Sequence, residues 1–313
     1  MSKEFSLKAA ILIAGPTASG KSALALRLAE RLGGVIINAD SMQVYRQLRL
    51  LTARPTPEDE ARAPHRLYGI VSAAERFSVG RWLKAVEAEL EAVRRRQQVA
   101  IVVGGTGLYF KALTEGLAAV PDVPEDVTEN WRAEAERVGA EVLHALLAAR
   151  DPEIAARIAP GDGQRVIRAL SVLETTGRSL LDFHGEAATP PLVDPAACEA
   201  VFLDPDRDWL HDRIDARFAA MLDEGGLEEA RALMEMRLDP SLPAMRAHGV
   251  AHLIAYLQGR SDLATAVARA RGDTRRYAKR QKTWFRHQMP GFSALDPDDL
   301  AAYLAGAGER PGA

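Results

Sequence analysis

Cysteine occurs once in the chain, at Cys198. That excludes an internal disulfide framework and a Cys-rich zinc module, and it fits a reducing compartment. We expect Cys198 to act as a small apolar residue in a strand. Long apolar runs are missing as well. The first apolar run, residues 9–14, is too short to span a bilayer and lacks a small-residue cleavage pattern. Neither a membrane span nor an export signal is expected, and the expected location is cytoplasmic. An excess of one charge is also absent, because 40 Lys and Arg face 43 Asp and Glu for a formal charge of −3. Any nucleic-acid-binding face must therefore be local. The sequence contains no internal repeat and no heptad run.

What is present is the apolar and charged balance of a globular chain, 47% and 27%. At about 150 residues per domain, 313 residues correspond to two domains, or to one α/β domain with a large insertion. The first third reads as a parallel α/β sheet. Residues 9–14 (AAILIA), 35–39 (VIINA) and 99–103 (VAIVV) have the β-branched content and length of strands buried on both faces. Leu24, Leu28 and Leu32 recur at helical spacing before Gly33 and Gly34, which completes one βαβ unit. A second helix is expected over 78–97, with Val79, Trp82, Leu83, Val86, Leu90 and Val93 on its apolar side. After Gly116 the texture becomes Ala/Glu/Arg/Leu-rich, and 117–197 reads as a helical insertion. Residues 200–203 (AVFL) return to the sheet, and helices follow to about residue 288. We therefore expect a core of 1–116 and 198–313 interrupted by the insertion, with a Gly/Pro-rich tail, 305–313, that frays.

Gly15-Pro16-Thr17-Ala18-Ser19-Gly20-Lys21-Ser22 has the spacing of a phosphate-binding loop. An ordinary Gly-rich βα turn could carry the same letters. The setting favours the phosphate loop, because it follows a strand and opens a helix, so that backbone N–H groups converge on an anion. Lys21 then supplies a point charge, and the Ser22 hydroxyl is placed to ligate Mg²⁺. In phosphate-loop ATPases an apolar strand ends in an Asp that supports the metal. Here the strand 99–103 runs into Gly104-Gly105-Thr106 instead. The available acid is Asp40, at the end of the strand 35–39. Loops after parallel strands gather at the carboxyl edge of a sheet, so the phosphate loop, Asp40 and Thr106 are expected to share one crevice. Asp40 could also serve as a helix cap or turn residue, but its place opposite the phosphate loop argues for catalysis.

A basic helix is expected between residues 269 and 286. Arg275, Lys279, Lys282 and Arg286 fall on one face of it, with Arg280 beside them. The stripe suits a polyphosphate backbone, although a solvated basic face would read the same way. Tyr277 and Trp284 interleave with the cations and could equally form a core seam. In the insertion, Gln164-Arg165-Val166-Ile167-Arg168 places two arginines one helical turn apart, either on phosphates or bases or simply on the surface.

Together these residues resemble the bacterial tRNA dimethylallyltransferase (tRNA isopentenyltransferase) family. The likeness covers most of the chain. It rests on GPTASGKS at 15–22, Asp40-Ser41 with Gln43-Val44-Tyr45, Thr52-Ala53-Arg54-Pro55-Thr56, and Pro64-His65-Arg66-Leu67. It continues in VGGTGLY at 103–109, Gln164-Arg165 with Arg168-Ala169-Leu170, and Lys279-Arg280-Gln281 with Thr283-Trp284-Phe285-Arg286. The resemblance implies a P-loop NTPase-like α/β core with a helical insertion domain. It also implies transfer of a dimethylallyl group from dimethylallyl diphosphate to N6 of the adenosine 3′ of the tRNA anticodon. In a family commonly described as nucleotide-binding, the loop would here hold the prenyl diphosphate with Mg²⁺ on Ser22.

By the same resemblance Asp40, Thr106 and Arg217 are catalytic. The tRNA contacts it implies are Asp40, Ser41, Met42, Gln43, Thr106, Thr128, Gln164, Arg165, Val166, Ile167, Arg168, Arg246, Arg275, Lys279, Arg280, Lys282 and Arg286. Two departures stand out. Arg246-Ala247-His248-Gly249-Val250-Ala251 replaces the family's Arg-Cys-Val-Gly-Tyr-Arg, and Thr128 stands where an arginine is common. His65 and His248 are read as structural. A monomer is expected. The competing readings are a phosphate-loop kinase of a small metabolite using ATP, and a nucleotide-gated RNA-binding protein without chemistry.

Overall fold

The computed structural model describes residues 10–183 and 187–306. Residues 1–9, on which the expectation about export rested, lie outside them. So does 307–313, the larger part of the tail expected to fray. Among the described residues no helix is long and apolar enough to cross a membrane.

The strands are β1 (Ala10–Ala14), β2 (Val35–Asn38), β3 (His65–Arg66), β4 (Ala100–Gly104), β5 (Leu117–Ala118), β6 (Ala187–Thr189), β7 (Glu199–Leu203) and β8 (Ser293–Leu295). The helices of the core are α1 (Lys21–Leu32), α2 (Pro57–Arg62), α3 (Val79–Arg95) and α4 (Gly107–Glu115). The insertion carries α5 (Glu125–Val138), α6 (Ala140–Arg150), α7 (Pro152–Ala155) and α8 (Gly163–Thr176). The core resumes with α9 (Arg207–Asp223), α10 (Gly226–Glu235), α11 (Val250–Leu257), α12 (Leu263–Gln288) and α13 (Leu300–Gly306). Residues 305 and 306 of the expected tail thus close a helix.

Two compact units result, one of residues up to Thr114 and from Leu192 onward, the other spanning Glu115–Pro191. Residues 192–197, expected in the insertion, lie with the core. The N–H groups of Leu192 and Val193 both donate to Leu113 O, which ties the returning chain to the end of α4.

The core carries a six-stranded parallel sheet in the order β3-β2-β4-β1-β7-β8. Every residue of β1, β2 and β4 is buried, which is why these strands read as unbroken apolar runs. Leu24 and Leu28 of α1 pack with Ile11, Ile13, Ile101 and Val103 on one face. Emptying Leu28 to Ala would cost about 2–5 kcal/mol. Gly33, at φ 63°, stops α1 in a left-handed conformation that suits glycine. A second cluster joins the segment around Val44, Tyr45 and Leu48 to α9, α10 and α11. Register aligns Ala14 with Gly104 and with Phe202, and Asn38 with Val103. The strands therefore end at one level. The chain leaves β1 toward β2 on one side and reaches β7 on the other, so the ligand crevice of such a sheet falls at the carboxyl ends of β1 and β4.

The insertion packs α5, α6 and α8 around Leu143, Leu147, Ile154, Val166 and Leu170. It also holds a two-stranded antiparallel pair, β5 with β6. Strands of two and three residues are too short to leave an alternating pattern in the sequence. Cys198 sits one residue ahead of β7 rather than within a strand, and burial pushes its thiol up to about 11.

Candidate active site

Loop 15–22 runs from the end of β1 into α1. Ala18 (φ 67°) and Gly20 (φ 94°) both adopt left-handed backbone, which turns the chain sharply into α1. Gly20 caps α1 without a side chain, so its first amides stay open to a ligand. Lys21 is buried and donates to Pro16 O at 3.3 Å. Burial pushes its ammonium down to about 8, while the opposite charge of Asp40 pulls it back up and Arg217 adds a smaller push downward. Ser19 Oγ is buried and has no hydrogen-bond partner among the described residues. An open helix start, a buried cation and an orphaned hydroxyl are what an anion would complete.

Asp40 follows β2 by two residues. The Asn38 side chain holds its backbone at both ends, accepting from Asp40 N (2.8 Å) and donating to Asp40 O (3.0 Å). Asn38 also donates to Leu67 O, and its carbonyl accepts from the Trp82 indole at 2.8 Å. Asp40 Oδ1 accepts the N–H of Met42 (2.9 Å), which leaves Oδ2 without a hydrogen bond among the described residues. The turn character considered for this residue is real, and it coexists with a place in the cleft.

Thr106, after β4, accepts Ser41 N–H at 2.9 Å and donates its own N–H to Ala39 O at 3.2 Å. That close approach needs Gly104, because a Cβ there would collide with the Ala39 carbonyl. The loops after β2 and β4 thus meet, while Thr106 is not among the residues that line the cleft shared by Thr17 and Asp40.

One cleft takes in Thr17, Asp40 and Arg217 together with Thr52, His248 and Tyr277. Its apolar lining is Met42, Leu51, Ile214, Phe218, Met221 and Ala247. Arg217 on α9 donates to Thr17 Oγ1. Burial pushes its guanidinium down to about 10, with Asp40 opposing and Arg213 adding to the shift. His248 rests against the Tyr277 ring, centroids 4.5 Å apart. Burial lowers its imidazole below the ordinary range, against the pull of Asp40, so the ring facing the cleft is neutral near pH 7. The structural reading of His248 therefore omits its position on the cleft wall. His65, by contrast, only bonds Ala63 O and packs on Tyr68.

The remaining sequence-marked residues divide by position. Gln43 is an internal tie, donating to Thr52 O and Ala53 O. On α8, Val166 is fully buried and Ile167 half-buried, so the surface of that turn belongs to Gln164, Arg165 and Arg168. Thr128 is half-buried on α5, and Arg246 is exposed in a short 3-10 turn. On α12, Arg275 pairs with Asp215, and Lys282 binds Asp204 and Pro205 O, both at 2.7 Å. Arg286 only reaches Asp204 at 3.9 Å, and Lys279 and Arg280 are exposed. The acids of α9 and of the end of β7 thus occupy part of the stripe.

Several residues at the site escaped the sequence reading. Arg213 donates to Ala18 O at 3.0 Å, and its spacing of four from Arg217 on one helix was the available signal. Glu229 accepts the N–H groups of Arg49, Leu50 and Leu51 at 2.8–2.9 Å and so holds the loop that carries Leu51 and Thr52 into the cleft. Nothing local marks it.

For a metal, Ser22 is exposed in the first turn of α1. Among the described residues no three or more His, Cys, Asp or Glu gather. The Ser22 hydroxyl is thus the side chain here that could hold a magnesium ion, a hard cation that takes oxygen ligands.

A family model described as IPP transferase matches residues 43–288. A tRNA dimethylallyltransferase of Nitrobacter hamburgensis is 57% identical over 296 residues, covering 95% of this chain and 93% of that protein. One from Rhodopseudomonas palustris is 59% identical over 295 residues, covering 94% and 93%. Among solved structures, a tRNA isopentenylpyrophosphate transferase from Bacillus halodurans superposes with a TM-score of 0.68 at 32% identity over 95% of both chains. A eukaryotic dimethylallyltransferase captured acting on tRNA gives a TM-score of 0.77 at 27% identity, over 95% of this chain and 76% of that one. A likeness of this extent, carried through core and insertion alike, makes the chain a member of the IPP transferase family.

Proposed function

We infer that the protein is a tRNA dimethylallyltransferase, and that its cleft joins an allylic diphosphate to an adenine amine. The carrying observation is that Asp40 lines the same cleft as Thr17 and Arg217 of the anion cradle. The N6 lone pair of the adenosine 3′ of the anticodon attacks C1 of dimethylallyl diphosphate. A C–N bond forms, the C1–O bond breaks, and its electron pair leaves with diphosphate. The proton lost by N6 passes to the unbonded Oδ2 of Asp40, whose Oδ1 is held by Met42. Lys21, Arg217 and the α1 amides take up the charge that develops on the leaving oxygen. Thr106, fixed by Ser41 N–H, orients the amine. Magnesium, held by Ser22 and the phosphates, would add charge neutralisation at the diphosphate. The apolar wall of Leu51, Phe218 and Met221 accommodates the prenyl chain and keeps water from the allylic carbon.

The target base must leave its stack to reach this cleft. On this reading Gln164, Arg165, Arg168 and Thr128 of the insertion, Arg246, and the exposed Lys279, Arg280 and Arg286 hold the anticodon stem-loop, with the protein acting as a cytoplasmic monomer. Neither the kinase reading nor the switch reading finds support among the relatives, and β4 ends in glycine rather than in a metal-supporting acid. The test is incubation with unmodified tRNA and either ATP or dimethylallyl diphosphate, followed by mass spectrometry of the RNA. A prenyl adduct with the second donor alone is expected. A phosphorylated product with ATP, or no adduct with either, would refute the assignment.

A further inference from the structure

Between Arg280 and Lys282, in the middle of the basic run, stands an amide that points inward. Gln281 is 5% exposed, and both ends of its side chain are engaged. Oε1 accepts the N–H of Thr17 at 3.0 Å, and Nε2 donates to Gly105 O at 2.9 Å. One partner lies in the loop after β1 and the other in the turn after β4, 264 and 176 residues away in sequence. A Cβ on Gly105 would collide with the Gln281 amide, so the turn is shaped around this contact. One helical turn earlier, Tyr277 lines the cleft that holds Thr17 and Asp40.

These two loops are the ones that the transfer reaction must keep in register. One cradles the leaving diphosphate, and the other leads into Thr106 beside the acceptor. We propose that Gln281 is a positioning residue for the transfer step, fixing the span between the two loops, and that it makes no contact with RNA. The proposal rests on the transferase reading above. In a displacement at carbon, amine, carbon and departing oxygen must stay aligned, and misplacement by about 1 Å costs on the order of 100-fold. Gln281→Met matches the length of the side chain but leaves the half-buried Thr17 N–H and the buried Gly105 O without partners, so the loops separate to find water.

The experiment compares wild type, Gln281→Met and Gln281→Glu with dimethylallyl diphosphate and an anticodon stem-loop RNA. It reads kcat, both KM values, the salt dependence of RNA binding and the melting temperature. For Gln281→Met, kcat is expected to fall roughly 10- to 100-fold. The RNA KM should stay within about twofold and the salt slope unchanged, as for a residue that touches no phosphate. Gln281→Glu keeps the acceptor for Thr17 but loses the donor to Gly105 and adds charge near the diphosphate, so it should also raise the donor KM. If the Met variant does not fold, the Glu variant reads the same split between kcat and RNA KM. A wild-type kcat in either folded variant, or a loss confined to RNA KM with a flattened salt slope, overturns the proposal. Wild-type enzyme that forms no prenylated RNA would instead remove the transferase reading beneath it.

Discussion

The core presents two surfaces suited to phosphate, and they are built differently. In loop 15–22 the donors are mostly main-chain amides, set by left-handed turns at Ala18 and Gly20 and unable to turn elsewhere. On α12 the donors are long side chains, and neighbouring acids have already taken Arg275 and Lys282. A backbone cradle keeps its purpose wherever it is folded, whereas a cationic stripe is divided by whatever packs beside it.

The sharpest way to break this contrast is at Lys21, a buried side-chain donor within the loop itself. Lys21→Ala should lower kcat/KM for the prenyl donor by roughly 100- to 1000-fold, the usual loss for a preorganised donor at developing charge, with RNA binding unchanged. The same lysine sets an alkaline limit. Its ammonium, lowered to about 8 by burial, is charged below that pH and neutral above it, so kcat/KM for the donor should fall about tenfold per unit beyond about pH 8. Lys21→Arg, with a guanidinium that stays charged, should abolish that limb. A profile flat to pH 10 would show that Lys21 does not carry the cradle.

On the stripe, smaller effects should separate by residue. Lys279→Ala and Arg286→Ala should each flatten the salt dependence of tRNA binding, by a slope change of about 0.7–0.9 per lost phosphate contact. Arg275→Ala and Lys282→Ala should leave the slope alone and lower stability by at most about 1 kcal/mol, since their ion pairs are partly exposed to solvent. Equal slope changes at all four positions would mean that the internal pairs open on binding, and the division drawn here would fail.

The same contrast explains how much could be read in advance. Strands buried on both faces announce themselves as apolar runs, so β1, β2 and β4 were legible, and the buried half of β7 with them, together with the loop after β1. The edge strands β3 and β8 were not, because two or three half-exposed residues carry no pattern. Helix α3 was legible from its apolar spacing, and its start at Ser78 is a side-chain cap on Arg81 N–H. At the site, what stayed hidden depends on partners distant in sequence. Gln281 is a lone amide among cations, and Glu229 is one acid among many until Arg49, Leu50 and Leu51 are folded against it. The pairing of Arg275 with Asp215 likewise requires α9 beside α12.

The most direct test is single-turnover transfer by Asp40→Ala with donor and tRNA bound beforehand. The rate should fall about 100- to 10,000-fold, the range of a lost general base, while both dissociation constants stay within about threefold. Transfer at the wild-type rate, or a loss of binding that accounts for the whole loss of rate, would contradict a carboxylate base set opposite the anion cradle.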